Sequence, residues 1–427
     1  MSREQRQTES SWKPMASDTI KMHTAVRSPF TLAFRGSMRA PLVRFGLLAP
    51  CLAFMLFIFI WPIISMLVKG VYSPEVQNAL PQTAEVMKDW DGNGMPSDIA
   101  FEALLTDLRQ ADRRAVAEAG RRLNYEIPGY RTVLIKTASR AATATGTARE
   151  ALTAIDANWN TPEYWRVMKS AAPAWTSFYL LTAVDMERKT DGSIGQVAPD
   201  QRIFLDVLGR SLWISGVVTI VCLLLAFPVA FHITTVSARW RGILLLLVLL
   251  PFWTSLLVRT SAWVVLLQDN GIINSLLMWA GMTTEPVHMI FNRTGVYIAF
   301  VHVMLPFMVM PLYSVMSNVS KDYTRAAYSL GASAPRTFFK VYLPLVWPGA
   351  WSGSLLTFVI CVGYYVTPLL VGGNRDQMLS YFIAFYTKQT VNWGLASALA
   401  IVLSVCVLTI LGIYGLFGRK SNFAVKG

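Results

Sequence analysis

The sequence predicts an all-α polytopic membrane protein with six transmembrane helices and a mainly helical extracytoplasmic insert, and three observations carry that prediction. Of 427 residues, 54% are hydrophobic and 15% charged, whereas a soluble chain carries charge at about a quarter of its positions. The apolar residues gather into six long runs nearly free of charge, each longer than the roughly 20 residues that carry a helix across about 30 Å of hydrocarbon. The chain is also basic, with 38 Lys and Arg against 25 Asp and Glu for a formal net charge of +13. These features speak against a water-soluble enzyme. Nucleic-acid binding and membrane orientation both call for a basic chain, but they place the charges differently.

The runs come in order along the chain. A polar tail at 1–44 precedes the first, 45–68, which starts too late and is too long for a cleaved signal peptide, so it is expected to stay as an anchor. The others are 211–238, 242–268 with Arg259 as its interruption, 294–320, 341–374 and 389–418. Two shorter uncharged stretches, 270–284 and 377–387, cannot cross and suit interfacial or re-entrant helices. The expected organisation is a cytoplasmic tail at 1–44, a first helix at 45–68, a periplasmic helical insert at 69–205, a five-helix core at 206–418 carrying a cytoplasmic loop at 321–344, and a cytoplasmic tail at 419–427.

Charge placement orients these runs. With the N-terminus inside, the cytoplasmic segments hold 17 Lys and Arg: 8 in 1–44, 2 at Arg239 and Arg241, 4 in 321–340 and 3 after Gly418. Acids there are Glu4, Glu9, Asp18 and Asp322, so 17 − 4 already equals the +13 of the whole chain. The short segments on the other side offer only Arg293, Arg375 and Lys388. This asymmetry puts both termini in the cytoplasm and leaves no basic face for nucleic acid.

The insert is near neutral, and its length exempts it from the charge rule. Helices are expected at 98–123, where Ile99, Leu104, Leu105, Leu108, Ala115 and Ala119 recur near helical spacing, and at 132–139, 148–157 and 162–186. Pro162 after Thr161 reads as a helix start, and the strip from Asp191 to Gly195 as an exposed turn. Asp89, Asp91, Asn93 and Gly94 match the opening of a calcium loop, but Ala100 stands where a bidentate Glu belongs, so a turn is expected and no metal site. Cys51, Cys222, Cys361 and Cys406 all fall within the runs, so the insert has no disulfide.

The most specific pattern lies between the fourth and fifth runs. Asp322 can cap a two-turn helix over 323–330, and Gly331 supplies the left-handed turn that ends it. Ser333 can cap a second helix with Pro335 in its first turn, and Pro344 interrupts the chain where it re-enters the membrane. A short helix, a sharp corner and another helix result, an element suited to docking in a partner's groove. This loop resembles the EAA motif of binding-protein-dependent ABC transporter permeases: Glu-Ala-Ala, three residues, Gly, nine residues, Ile, one residue, Leu-Pro. Ala326, Ala327, Gly331, Leu343 and Pro344 fit, Val341 stands for the Ile, and Arg325 occupies the Glu position. Segments 257–263, 365–373 and 393–399 look like the spermidine/putrescine-type subfamily.

The resemblance implies six helices of the ABC importer permease type in a bacterial inner membrane. It implies a coupling helix docking into a cytoplasmic ATPase subunit through Arg325, Ala326, Ala327, Gly331, Val341, Leu343 and Pro344, a second permease subunit, identical or different, and a periplasmic solute-binding protein. It implies a small polar solute, polyamine-like, and a transport subunit with no catalytic residue. ATP and Mg are expected on the partner ATPase and no cofactor on this chain, which has no G-x-x-x-x-G-K-[ST] phosphate loop. An ion- or proton-coupled secondary transporter is the alternative, and the lack of Asp and Glu in the six runs speaks against it. His232 and His302 read as structural. For the translocation path the sequence offers Arg259, a costly charge in a span, and Tyr364, Tyr365, Thr367 and Pro368, where a Pro-interrupted span exposes hydroxyls and carbonyls.

Overall fold

A computed structural model describes residues 49–189 and 193–423, with side chains described to residue 416. The tail at 1–44, the turn residues Asp191 and Gly192 and the end of the C-terminal tail lie outside the described residues. One compact unit closes at Pro62. What is described of it belongs to helix α1 (Ala49–Val68), where Phe54, Phe57, Phe59 and Trp61 are all exposed, the surface a helix offers to lipid.

The second unit opens with the insert. It is built of short helices: α2 (Glu75–Ala79), α3 (Pro81–Asp89), α4 (Asp98–Gln110), α5 (Arg113–Asn124), α6 (Tyr130–Arg140), α7 (Ala148–Ile155), α8 (Pro162–Ala171) and α9 (Phe178–Ala183). The single helix expected over 98–123 is two, because the Asp112 carboxylate accepts the N–H groups of Arg114 at 3.0 Å and Ala115 at 3.4 Å and starts a new helix. Ile99, expected on the apolar face, is exposed, and Phe101 takes the core position instead. The stretch expected as one helix to 186 stops at Ala171; beyond α9, strands β1 (Met186–Arg188) and β2 (Ile194–Gln196) pair antiparallel.

Aromatic side chains fill the insert's core, and the polar edges of Trp159, Trp165 and Tyr130 find partners there, whereas Trp90 Nε1 at its margin has none among the described residues. Trp159 Nε1 donates to Thr137 Oγ1 at 2.9 Å, Trp165 Nε1 to the Trp159 carbonyl at 2.9 Å, and the Tyr130 hydroxyl to the Tyr164 carbonyl at 3.0 Å. Buried Asp107 of α4 accepts from the N–H of Thr83 at 2.7 Å and of Gln82 at 3.3 Å, capping the start of α3 from a neighbouring helix. Asp91 accepts the Asn93 N–H at 2.9 Å, the turn expected there.

The membrane core follows: α10 (Phe204–Thr235), α11 (Ala238–Leu249) with a 3-10 turn at Leu250–Trp253, α12 (Leu256–Leu267), α13 (Ile272–Trp279), α14 (Arg293–Asn318), α15 (Lys321–Ser329), α16 (Ala334–Gly363), α17 (Val366–Val371), α18 (Leu379–Lys388) and α19 (Trp393–Phe423). Among the described residues five helices are long and apolar enough to cross a membrane. A sixth crossing exists only as a broken pair, Ala238–Trp253 and Leu256–Trp279, bent by 98°. The span expected over 242–268, with Arg259 as its interruption, is thus broken earlier, between Trp253 and Leu256. Pro251 sits in the 3-10 turn that opens the bend, where it can donate no backbone hydrogen bond. The last helix also runs on to Phe423, past the boundary expected at 418.

Helices α10, α14 and α16 share one core around Val218, Cys222, Phe300, Met304 and Met308. Small residues set their spacing: a Cβ on Gly349 would lie 2.8 Å from Val315 Cβ, and one on Gly353 3.0 Å from Met308 Sδ. A separate cluster joins the insert to α10, α18 and α19 through Tyr179, Phe204, Val207, Leu379 and Leu399. Buried Asp185, at φ 54°, accepts from the N–H groups of Ile203 at 3.1 Å, Phe204 at 3.0 Å and Leu205 at 2.8 Å. A carboxylate of the insert therefore caps the first turn of α10.

Candidate functional site

The loop at 321–344 forms a helix, a corner and a helix, with differences in who caps what. Ser320, not Asp322, is the N-cap of α15: its Oγ accepts the Asp322 N–H at 3.2 Å and donates to Asp322 Oδ2 at 2.8 Å. Asp322 instead lies in the first turn, where a carboxylate meets the positive end of the helix dipole. The other end is a complete Schellman closure: Gly331 at φ +80° donates to the Tyr328 carbonyl at 2.9 Å, and Ala332 to that of Ala327 at 3.0 Å.

Ala327 is buried while Arg325 and Ala326 are exposed, so α15 turns one face inward and offers the other. Arg325 stands 3.6 Å from Asp322 on that outer face, an exposed pair of little energetic weight. Tyr323, one turn before Ala327, is also exposed, and Leu330, at the corner, is 88% exposed. The sequence reading missed Leu330. An apolar residue just before Gly331 gives no periodic signal, and only the corner's geometry thrusts it outward.

The helix that begins at Ala334 does not break at Pro344. It passes through a widened π turn at Phe338–Tyr342, in which the Leu343 N–H reaches the Phe338 carbonyl, and continues to Gly363. Pro344 has no N–H to give the Lys340 carbonyl, and the wider register accommodates that loss without ending the helix. Val341 lies in this turn, half-buried Leu343 packs on the shared core, and Pro344 is exposed.

The fifth run breaks further along, at Tyr364 and Tyr365, between α16 and α17. Pro368 is the cause without being the place: it sits in the first turn of α17, where its ring excludes the carbonyl four residues back, which is that of Tyr364. That carbonyl instead accepts from Ser380 Oγ at 3.1 Å. Tyr364 packs on Phe300 of α14 with ring centroids 5.6 Å apart. Thr367 and Pro368 are buried, and Thr367 Oγ1 has no hydrogen-bond partner among the described residues.

Arg259 begins the second arm of the broken pair. Its guanidinium folds back over the bend and donates to the carbonyls of Pro251 and Thr254, the latter at 3.0 Å, and to Thr254 Oγ1 at 3.3 Å. The charge is therefore held by backbone groups that the bend leaves without helical partners. One turn on, Trp263 Nε1 donates to His302 Nδ1 at 3.1 Å, so that nitrogen is the acceptor and the neutral imidazole carries its proton on Nε2. Helices α12 and α14 thus bring Arg259, Trp263 and His302 together, and α17 packs against both helices through Leu370 and Val371. At the N-terminal end of α14, buried Asp376 accepts from Arg293 Nε at 3.0 Å and from the Gly373 N–H at 3.2 Å. The sequence showed Asp376 and Arg293 as separate loop charges, since nothing local marks a pairing 83 residues apart.

Comparison with known proteins covers this region. Residues 173–422 match the family model described as binding-protein-dependent transport system inner membrane component. The chain is 34% identical over 224 residues to the spermidine/putrescine transport system permease protein PotB of Haemophilus influenzae, covering 52% of this chain and 78% of that one. It is 32% identical to PotB of Escherichia coli K12, covering 82% of that protein. A solved bacterial alginate ABC transporter, in complex with an alginate pentasaccharide-bound periplasmic protein, aligns over 51% of this chain at 18% identity and a TM-score of 0.43.

Proposed function

The chain belongs to the family of binding-protein-dependent transport system inner membrane components, as a multi-pass permease subunit of an ATP-binding cassette importer, and from that premise we propose how it couples and what it carries. Both termini lie in the cytoplasm, because the basic residues of the short segments gather at that side. A cytoplasmic ATPase subunit, which binds ATP and Mg, docks on the corner formed by α15 and Gly331. The observation that supports this is the corner itself. A two-turn helix closed on Gly331 presents Tyr323 and Leu330 to solvent at the end of the bundle where α14 leaves the membrane core. Exposed large apolar side chains on a rigid turn are what a groove-shaped partner receives. Arg325 adds a cation to that surface in place of the carboxylate of the family pattern, so the ATPase groove facing it is expected to be acidic.

The cargo is a small polar, polyamine-like cation delivered by a periplasmic binding protein, as the relation to the PotB proteins suggests. A second permease subunit completes the path. In this chain the path follows the break at Tyr364 and Tyr365 and the facing side of α12. There Tyr364, Tyr365 and Trp263 offer aromatic faces to a cation and Thr367 a free hydroxyl.

The test is co-purification of the ATPase. Gly331→Val places a β-branched residue at φ +80° and costs about 1–2 kcal/mol of corner geometry, so ATPase recovery is expected to fall about tenfold. Unchanged recovery and transport would remove the coupling assignment. For the cargo, ATPase activity of the reconstituted complex is compared with the binding protein loaded with a polyamine, an amino acid or a sugar. Stimulation by the polyamine alone is expected, and stimulation by another ligand instead overturns the substrate.

A further inference from the structure

Behind the coupling corner lies a cavity of about 410 Å³, walled by the ends of α10 and α14, the start of α11, the first turn of α15 and the first turns of α16. Its lining mixes two chemistries: the cations Arg241 and Lys321, and apolar and aromatic groups including Phe231, Met316 and Phe338. Among the described residues neither cation has a carboxylate within 4.0 Å, whereas Arg325 on α15 has one. Arg241 Nε is buried without a hydrogen-bond partner, and its Nη2 makes only a long 3.5 Å contact to the Val236 carbonyl. Thr337, 2% exposed, also lines the cavity, and its Oγ1 is unpartnered. Asp322, next to Lys321 in the chain, is engaged by Ser320 and Arg325 and does not line the cavity.

We propose that this cavity is a binding site for an anionic phospholipid of the cytoplasmic leaflet, its phosphate held by Arg241, Lys321 and the Thr337 hydroxyl and its first methylenes laid against the aromatic part of the lining. The inference rests on the orientation given above, which puts these residues at the inner face of the membrane. Two unneutralised cations and a free hydroxyl select a phosphate, the group that basic pockets between transmembrane helices take from the inner leaflet. The apolar part of the lining selects an amphiphile over free phosphate, because a soluble anion would leave Phe231 and Phe338 facing water. The occupant would bridge α11 to the first turn of α15 and so hold the coupling helix against the bundle.

Native mass spectrometry of the purified full chain tests this, with phosphatidylglycerol and phosphatidylcholine of the same acyl chains as probes. The wild-type chain is expected to retain one phosphatidylglycerol in preference to phosphatidylcholine. Arg241→Gln with Lys321→Gln should reduce phosphatidylglycerol retention about 30-fold, from the loss of two interfacial cations. Thr337→Val should reduce it about fivefold, by one hydrogen bond. Lys340→Gln, an exposed cation outside the cavity, should leave it unchanged. Equal retention by wild type and the double variant, or equal retention of the two lipids, overturns the site. Displacement of phosphatidylglycerol by millimolar inorganic phosphate, with equal protection by phosphate alone, overturns the lipid source. Lipid retention is read without ATPase or nucleotide, so its failure leaves the coupling assignment standing. Loss of that assignment would likewise show in ATPase recovery while lipid retention still reports on the cavity.

Discussion

Asp185 and Gly331 govern this molecule at the scale of single residues, and they differ in how visible they are in sequence. Gly331 announces itself, because a glycine after a short polar helix is the usual carrier of a left-handed C-terminal turn, and it adopts φ +80°. Asp185 gives no such signal: it caps α10 from 18 to 20 residues away, across a hairpin. Asp185→Ala leaves the N–H groups of Ile203, which precedes α10, and of Phe204 and Leu205 in its first turn without that acceptor. It should lower stability by about 1–3 kcal/mol, seen as earlier thermal unfolding of the detergent-solubilised chain, with Asp185→Asn recovering part of the loss. Tyr179 reports on the same junction. Burial raises its hydroxyl pKa to about 12, against an opposing pull from Arg122, whose guanidinium carbon lies 5.2 Å from the ring centroid. The neutral phenol is the form the fold prefers, so its contribution is complete below the ordinary value of 10.0 and declines as pH climbs from there through about 12. Tyr179→Phe should flatten the alkaline limb of a stability-against-pH curve between those values; an unchanged limb would remove Tyr179 as its source.

Among the elements, the six runs were legible because hydropathy measures length and charge, which the bilayer constrains directly. Direction escaped it. The run 242–268 reads as one span, yet the chain turns by 98° after Trp253, and Pro251 was the visible hint. The run 341–374 was too long for one helix, and the break falls at the carbonyl that Pro368 excludes rather than at Pro368 itself. In the insert, composition fixed helicity, while the boundaries depended on caps such as Asp112 that single-residue propensity does not rank. Arg259 shows what the bend requires. Removing its guanidinium exposes the carbonyls of Pro251 and Thr254 in a low-dielectric setting, so Arg259→Leu should destabilise the chain by about 1–3 kcal/mol. Arg259→Lys should rescue it poorly, because an ammonium cannot span both acceptors as a planar fork does. Thermal unfolding with equal midpoints for all three chains would contradict that role.

At the scale of the molecule, the basic excess, the short helix ending at Gly331 and the family match converge on a permease subunit of an ATP-binding cassette importer. The candidate path was legible only in fragments: Tyr364, Thr367 and Arg259 could be named from the sequence, but the Trp263 to His302 bond and the pairing of Arg293 with Asp376 join residues 39 and 83 positions apart. No local pattern encodes such distances. Among the described residues of the long membrane helices, acids appear only at the margin, as with Asp206 in the first turn of α10, which leaves little for a proton relay. The most direct measurement is uptake of labelled polyamine into vesicles holding the whole complex, with ATP or a pH gradient as the energy source. Uptake should require ATP and fall about tenfold in Gly331→Val while the chain stays in the membrane. Uptake driven by the pH gradient without ATP, or undiminished in that variant, would contradict the account.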